Sequence, residues 1–236
     1  HLAHRGQRAV VIGGGITSLE IVEGLARRGM KVSYIMREDR YWRNVLDETE
    51  SRIVEKRLEE EHVNLYYHTE TAEFLGHKGR VTAVLTKDGK KIPCNLVAAA
   101  IGVRPRLELA KSAGLDVDRG ILVDETLLSS REDIYAAGDV AQVYDPLLGK
   151  SILDTLWKPA KDQGRIAGRN MAGNPTTYQK SLAFNVTRLA DLTTLIIGAV
   201  GSGSDRDLPG IARGDSEIYR QMPDSIAVQS SFDVNH

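Results

Sequence analysis

Short apolar runs, separated by polar and glycine-rich stretches, dominate the first hundred residues of the chain. The run Arg8–Ile12 is continuous and ends in three glycines, which predicts a strand buried on both faces. Residues 16–28 carry apolar side chains at helical spacing, and Gly29 stands where the glycine after a helix is expected. A second apolar run over residues 32–36 completes a βαβ unit.

A second helix and a series of short strands follow. The sequence Asp47-Glu48-Thr49-Glu50 matches a capping box, so we predict a helix from there through His62. Asp88-Gly89 predicts a tight hairpin turn between two of the strands. The predicted strands cover residues 63–67, 71–75, 80–86, 91–93 and 96–100. The order is therefore βαβαβ, a β-meander and one further strand, which indicates an α/β fold.

Beyond residue 101 the pattern changes to short strands separated by polar loops. We predict strands at residues 121–123 and 134–136. A helix is predicted to begin at Pro159, because proline suits the first helical turn. Residues 192–200 are apolar and β-branched, whereas residues 202–214 are rich in Gly, Asp and Arg and are predicted to form a loop.

Composition and charge narrow the classes of partner. The 236 residues include 31 Lys and Arg against 32 Asp and Glu, so the net charge is -1. Nucleic acids and anionic membranes both favour a basic excess, so neither is expected as the main partner. No apolar run approaches the ~20 residues that span a bilayer, and the first residues do not resemble a signal peptide. We therefore expect a cytoplasmic protein.

Catalytic side chains and metal ligands are not predicted. Cys94 is the single cysteine, which excludes a two-cysteine redox centre within this chain, and its surroundings favour a buried apolar role. The six histidines lack the spacing of metal ligands. The serines show no nucleophile elbow.

The glycine-rich segment after the first strand is the main candidate for chemistry. Residues 13–18 match the pattern G-x-G-x-x-G except that Ser18 replaces the third glycine. Gly13 would permit the tight turn, and Gly15 would let the backbone approach a pyrophosphate at the N-terminus of the helix. Because the segment follows a strand and opens a helix, we predict a dinucleotide site. A glycine turn that only packs the helix onto the sheet is the alternative.

The end of the second strand bears on the choice between NAD and NADP. Acidic residues at this point usually accept the ribose 2′-hydroxyl of NAD, whereas this chain has Met36. Three arginines follow, Arg37, Arg40 and Arg43, and guanidinium groups bind phosphate well. The sequence therefore favours NADP, while ordinary solvated arginines, offset by the acidic residues between them, are the alternative.

A second candidate site lies where the predicted strand at residues 134–136 runs into Ala137-Gly138-Asp139. A carboxylate at the carboxyl end of a strand lies where α/β folds bind ligands, and it can accept hydrogen bonds from sugar hydroxyls. In isolation, Gly-Asp would be only a turn.

Three segments together resemble the pyridine nucleotide–disulfide oxidoreductase family of FAD flavoproteins. They are residues 10–15 with Leu19-Glu20, residues 100–105 and residues 134–139. Their order and spacing match over residues 7–175, and the combination is specific. The branch they resemble most contains NADH oxidases, rubredoxin and ferredoxin reductases, and the reductase domains of nitrite reductases.

The resemblance implies a cofactor pair and a reaction. NAD(P)H would bind across the Gly13 turn and pass hydride to FAD, and electrons would leave to a small protein or small-molecule acceptor. Glu20 would lie near the nicotinamide, Gly102 beside the same dinucleotide, and Asp139 at the ribityl chain and phosphates of FAD. The helix after Pro159 would point its N-terminus at the flavin pyrimidine ring and stabilise negative charge there.

The implied fold is a Rossmann-like βαβ NAD(P)-binding domain with a β-meander over residues 7–100, followed by the second half of an FAD-binding domain over residues 101–175. Residues 176–236 form a tail that could begin an interface domain, so a homodimer is one of the oligomeric states that the resemblance allows. Trp157 lies either beside the flavin or in packing contacts. The predicted cofactor-binding residues are Gly13, Gly15, Ile16, Ser18, Glu20, Met36, Arg37, Arg43, Gly102, Gly138 and Asp139.

The chain also departs from the family pattern. Family members begin with their own glycine-rich βαβ unit for FAD, and no residue before Gly13 supplies it. We therefore expect a fragment of a longer flavoenzyme, inactive by itself. The alternative function is a dinucleotide-binding module without catalysis. A plain NAD(P) dehydrogenase would need a placed acid–base His or Tyr, which we do not find.

Overall fold

The computed structural model describes residues 3–146 and 148–180, together with the backbone of strands 184–189 and 192–197. The loop predicted at residues 202–214 and most of the predicted tail lie outside these residues. The chain divides into two compact units. Unit 1 comprises residues up to Gly102, with which the strands after residue 183 are grouped, and unit 2 comprises residues 103–182.

Unit 1 is an α/β sandwich with an attached antiparallel meander. Its elements are β1 (Arg8–Ile12), α1 (Ile16–Ala26), β2 (Lys31–Ile35), α2 (Glu48–Glu60), β3 (Asn64–Tyr66), β4 (Thr71–His77), β5 (Arg80–Thr86), β6 (Lys91–Pro93) and β7 (Leu96–Ala99). β3, β2, β1 and β7 form a parallel sheet in that order, and β4, β5 and β6 form an antiparallel one. The order βαβαβ, meander and strand is confirmed.

Burial explains why these segments form this sheet. Val10 and Val11 are both fully buried and belong to separate clusters, because successive side chains of a strand point to opposite faces. Helix α1 buries Leu19 and Val22 in the larger cluster, and each such side chain contributes about 1.5–3 kcal/mol. Cys94 is 2% exposed in the smaller cluster, as predicted, and burial raises its pKa.

The capping box at the start of α2 is confirmed atom by atom. Asp47 Oδ1 accepts the Glu50 amide at 2.8 Å, and Glu50 Oε2 accepts the Asp47 amide at 2.8 Å. These two bonds satisfy amides that a helix start would otherwise leave unpaired. The helix therefore begins where the sequence placed it, and it ends at Glu60, two residues before the predicted limit.

Unit 2 contains a small mixed sheet and one long helix. Its elements are α3 (Glu108–Ser112), β8 (Ile121–Leu122), a 3-10 turn (Gly138–Val140), β9 (Ala141–Asp145), β10 (Lys150–Leu153) and α4 (Trp157–Met171). β9 lies between β8, to which it is parallel, and β10, to which it is antiparallel. Leu127, Val143 and Ala167 lie in the core of this unit.

The strand predicted at residues 134–136 is wrong. Only one isolated bridge joins Leu128 to Tyr135, because positive φ angles at Asp133 (64°) and Gly138 (77°) limit the extended segment on both sides. As a result, Asp139 follows no strand and lies within the 3-10 turn. Helix α4 also begins two residues before Pro159, which is possible because the first-turn amides of a helix have no intrahelical partner.

The strands β11 (Phe184–Leu189) and β12 (Leu192–Ile197) pair as an antiparallel hairpin. β12 lies within the apolar stretch that the sequence marked at residues 192–200. Among the residues the structure describes, no helix combines the length and apolar character that crossing a membrane requires.

Candidate functional site

The turn between β1 and α1 brings the glycine segment against the end of β7. Gly13 has a φ of 146°, and a Cβ built on it would collide with the Ala100 carbonyl oxygen and stand 3.0 Å from the Ala100 carbonyl carbon. The neighbouring strands are joined here, since the Ala100 amide donates to the Ile12 carbonyl at 2.8 Å. Only glycine fits this position, for both conformational and steric reasons.

Beyond Gly13, the turn leaves backbone accessible. A Cβ built on Gly14 would meet nothing within 4 Å. Gly15 is the N-cap of α1, Ile16 is its first residue, and the first turn contains no acidic side chain. A helix N-terminus of this kind attracts anions through its amides and its dipole. The turn is therefore compatible with a bound pyrophosphate.

Ser18, which replaces the third glycine of the pattern, is fully buried between the turn and β2. Its hydroxyl donates to the Gly15 carbonyl at 2.6 Å and accepts the Gly15 amide at 3.2 Å. The hydroxyl groups of Ser18 and Tyr34 lie 2.7 Å apart. Because the Ser18 hydroxyl donates its only proton to the Gly15 carbonyl, the Tyr34 hydroxyl is the donor in this pair. Burial raises the pKa of Tyr34. Ser18 therefore ties the turn to the sheet.

Removing this hydroxyl should destabilise unit 1. We expect Ser18→Gly to lower the free energy of unfolding by about 1–3 kcal/mol, because the buried Tyr34 hydroxyl would lose its acceptor. The double variant Ser18→Gly/Tyr34→Phe should lose less than the sum of the two single losses. Urea denaturation of the four proteins measures this coupling, and strictly additive losses would contradict the assignment.

The predicted specificity residues lie on the loop after β2. Met36 is fully buried in the core of unit 1. The Arg37 side chain is 75% exposed and lies 3.8 Å from Glu38. Arg43 lies 3.3 Å from Asp39 and 3.9 Å from Glu38, each measured from Nη1 to a carboxylate oxygen. The arginines are thus paired with Glu38 and Asp39, as expected if they are ordinary solvated side chains. Three guanidinium groups, however, share only two carboxylates.

The backbone of this loop is held by neighbouring elements. Glu55 Oε1 on α2 accepts the Tyr41 amide at 2.7 Å, and Ser51 donates its hydroxyl proton to the Tyr41 carbonyl at 2.7 Å. Burial raises the pKa of Glu55, and the bond from the Tyr41 amide opposes that rise. The Trp42 amide donates to the Gly14 carbonyl at 3.0 Å, which joins the loop directly to the glycine turn.

Sequence reasoning missed Trp42. Its φ is 48°, and its indole nitrogen lies 3.9 Å from a Cβ built on Gly15. The available signal was the aromatic pair Tyr41-Trp42 between Arg40 and Arg43, because aromatic side chains in an otherwise polar segment indicate packing or binding.

The remaining predicted residues of unit 1 are Glu20 and Gly102. Glu20 is exposed on α1, one turn beyond its start. Gly102 follows β7, is exposed and has a φ of 108°. The hydrogen bond from the Trp42 amide to the Gly14 carbonyl joins the glycine turn, at the start of α1, to the loop of residues 36–43, which we call the arginine loop.

Gly138 and Asp139 belong to unit 2. The buried Gly138 amide donates to Gln163 Oε1 of α4 at 2.7 Å, while the Asp139 side chain is exposed. The 3-10 turn thus lies against α4, whose first turn contains no acidic residue. Trp157 at its start is 77% exposed, and the Lys161 ammonium lies over its ring at 4.9 Å from the ring centroid.

Comparisons with known proteins agree with this architecture. The chain is 35% identical over 185 residues to an NAD(P)H sulfur oxidoreductase (CoA-dependent) of Pyrococcus furiosus, covering 78% of this chain and 41% of that protein. It is 29% identical to a rubredoxin-NAD(+) reductase of Ectopseudomonas oleovorans, covering 84% of this chain and 50% of that protein. The chain therefore spans half or less of the length of these relatives.

The fold is also similar to solved structures. A crystal structure of an FAD-dependent pyridine nucleotide-disulphide oxidoreductase from Desulfovibrio vulgaris matches with a TM-score of 0.78 at 28% identity, covering 88% of this chain and 52% of that one. The predicted α/β fold and the predicted family are both confirmed. A family model described as pyridine nucleotide-disulphide oxidoreductase matches residues 1–165, and the chain belongs to that family.

Proposed function

We propose that this chain is the part of a flavin-dependent oxidoreductase that binds NAD(P)H and contributes to the FAD site. The whole enzyme takes hydride from NAD(P)H to FAD and passes electrons to an acceptor. The observation that carries the proposal is the Gly13–Gly15 turn, which closes against Ala100 and leaves Gly14 open at the N-terminus of α1. Membership of the family supports the same reading.

Residues of unit 1 would hold the pyridine nucleotide. The Gly14–Gly15 backbone and the first amides of α1 would bind the pyrophosphate. The Ser18 hydroxyl would hold the Gly15 backbone in place through its bonds to the Gly15 amide and carbonyl. Arg37 and Arg43 would lie at the 2′-position of the adenosine ribose. Glu20 and Gly102 would border the nicotinamide end, as the family resemblance implies.

Residues of unit 2 would hold part of FAD, which supplies the two-electron redox chemistry when it is bound. The 3-10 turn presents the exposed Asp139 carboxylate, an acceptor suited to ribityl hydroxyls. The N-terminus of α4 has no side-chain cap and no acidic residue in its first turn, so it suits a ligand that becomes negatively charged. The residues present are therefore compatible with the flavin.

The acceptor is proposed to be a small electron-transfer protein or a small molecule. One relative is named for rubredoxin and another for sulfur, so the family accommodates both kinds of acceptor. We place the activity in the cytoplasm, in keeping with a chain of 236 residues that has only one cysteine.

The experiment that tests the proposal is an absorption spectrum of the purified chain before and after FAD is added, followed by NAD(P)H titration. Visible flavin bands that bleach on addition of NAD(P)H would support the oxidoreductase. A colourless chain whose binding of NAD(P)H is detected by nicotinamide fluorescence would limit the part of this chain in that enzyme to the pyridine nucleotide site. Failure to bind either cofactor would overturn both the oxidoreductase and the non-catalytic dinucleotide-binding module.

The choice between NAD and NADP has its own test. We expect Arg37→Glu to weaken NADPH binding about tenfold or more and to leave NADH binding nearly unchanged, because one charge-assisted contact to the 2′-phosphate contributes about 1.5–3 kcal/mol. Nicotinamide fluorescence titrations measure both affinities. Arg52→Glu, at an exposed arginine paired with Glu48 on α2, is the matched control. Equal losses of affinity for NADPH and NADH would contradict the proposed contact between Arg37 and the 2′-phosphate.

A further inference from the structure

Trp42 is held in an unusual backbone conformation beside the glycine turn. Its φ of 48° is rare for a bulky side chain. Its amide donates to the Gly14 carbonyl at 3.0 Å, and its carbonyl accepts the amides of Val45 and Leu46 at 2.8 and 2.9 Å. Strained residues of this kind persist where surrounding contacts fix them, often at ligand clamps.

The indole group of Trp42 is directed at the start of α1. Its ring lies 6.0 Å from the Tyr41 ring, in a tilted arrangement, and is partly buried against the core of unit 1. The indole nitrogen lies 3.9 Å from a Cβ built on Gly15. Indole nitrogen is a donor only. The donor therefore stands beside the backbone that a pyrophosphate would approach.

We propose that Trp42 is a further binding residue of the dinucleotide site, whose indole N–H donates to a pyrophosphate oxygen of NAD(P)H. The inference rests on the proposed function, because it requires a dinucleotide on the Gly14–Gly15 turn. A neutral donor aimed at a phosphate forms a charge-assisted hydrogen bond. The hydrogen bond from the Trp42 amide to the Gly14 carbonyl holds Trp42, and with it that donor, beside the turn.

Packing alone is the competing role for Trp42, and fluorescence separates the two. The chain has two tryptophans, Trp42 and Trp157, so the variant Trp157→Phe reports on Trp42 alone. We expect its tryptophan emission to change on titration with ADP-ribose, which contains the pyrophosphate but does not absorb the emitted light. Saturation should occur at the concentration at which ADP-ribose displaces NADPH. Displacement of NADPH without any change in emission would overturn the proposal.

A second measurement removes only the donor. In the same Trp157→Phe background, Trp42→Phe keeps an aromatic ring but deletes the indole N–H. We expect it to bind NADPH and ADP-ribose about tenfold more weakly, which corresponds to about 1.4 kcal/mol, while the urea midpoint stays close to that of its parent. Undiminished affinity for both ligands would overturn the role of Trp42. If Trp42→Phe fails to fold, the emission of Trp42 in the Trp157→Phe parent still tests whether Trp42 responds to the bound dinucleotide.

The failure of this inference differs from a failure of the proposed function. If the wild-type chain binds neither NADPH nor ADP-ribose, the dinucleotide site itself is wrong. If it binds both, and Trp42 neither responds nor contributes, the site stands and only the role of Trp42 falls.

Discussion

Gly13→Ala should abolish NAD(P)H binding and destabilise unit 1 by on the order of 3 kcal/mol, the range that steric strain in a packed site produces. The added methyl group would collide with the Ala100 carbonyl oxygen and stand 3.1 Å from Ser18 Cβ. A φ of 146° is also unfavourable for alanine. Neither neighbour can yield easily, because one belongs to the backbone after β7 and the other to a buried hydrogen-bonded side chain.

Gly14→Ala is the matched control for this variant. A Cβ on Gly14 meets nothing within 4 Å, so the free energy of unfolding should change by less than about 1 kcal/mol. Urea denaturation and nicotinamide fluorescence should be measured on both variants. Equal stability of the two proteins would show that the approach of Gly13 to Ala100 does not constrain the turn.

Lys180→Met should be among the most destabilising substitutions in unit 2, with an expected loss of about 3–5 kcal/mol. The Lys180 ammonium lies 3.2 Å from Asp145 and 3.7 Å from Asp154, and all three side chains are at most 7% exposed. Without the ammonium, two buried carboxylates would face each other without their shared cation. Lys150→Met, at an exposed lysine of β10, is the control and should change stability by less than about 0.5 kcal/mol.

The pH dependence of Lys180→Met supplies a further check on the same cluster. Burial raises the pKa of Asp154, Lys180 opposes the rise, and Asp145 adds to it, so removing the lysine should raise that pKa further. A carboxyl group with a raised folded-state pKa contributes stability at low pH and loses it as the pH rises. The variant should therefore regain stability as the pH falls from neutral toward the ordinary value of 3.8. A deficit that does not shrink would contradict this explanation.

Unit 1 could be predicted from the sequence because its local and long-range signals agree. Continuous apolar runs, the glycine turn and the Asp47 capping box each specify the element that forms. The glycine turn also marked the candidate site, since the spacing of its glycines encodes a backbone geometry. What could not be read was the contact that makes Gly13 necessary, because Ala100 lies far along the chain.

Unit 2 was less predictable because buried polar groups interrupt its apolar pattern. β9 contains the buried Gln142, whose amide bonds to the Arg119 and Gly120 amides, to Asp118 and to the Ser151 carbonyl. A five-residue strand whose second residue is a buried glutamine carries no clear apolar signature. The prediction for residues 134–136 erred in the opposite direction. The apolar side chains of this segment suggest a strand, but the positive φ angles on either side prevent one from forming.

The arginine loop is anchored without the help of its arginines. Its backbone is held by Tyr66, Glu55 and Gly14, through bonds to the amides of Met36, Tyr41 and Trp42. Exposed charges on this loop can therefore be exchanged while the peptide path stays the same. In the proposed site, substitutions of the exposed Arg37 and Arg43 would therefore change the preference between NAD and NADP without lowering the stability of unit 1.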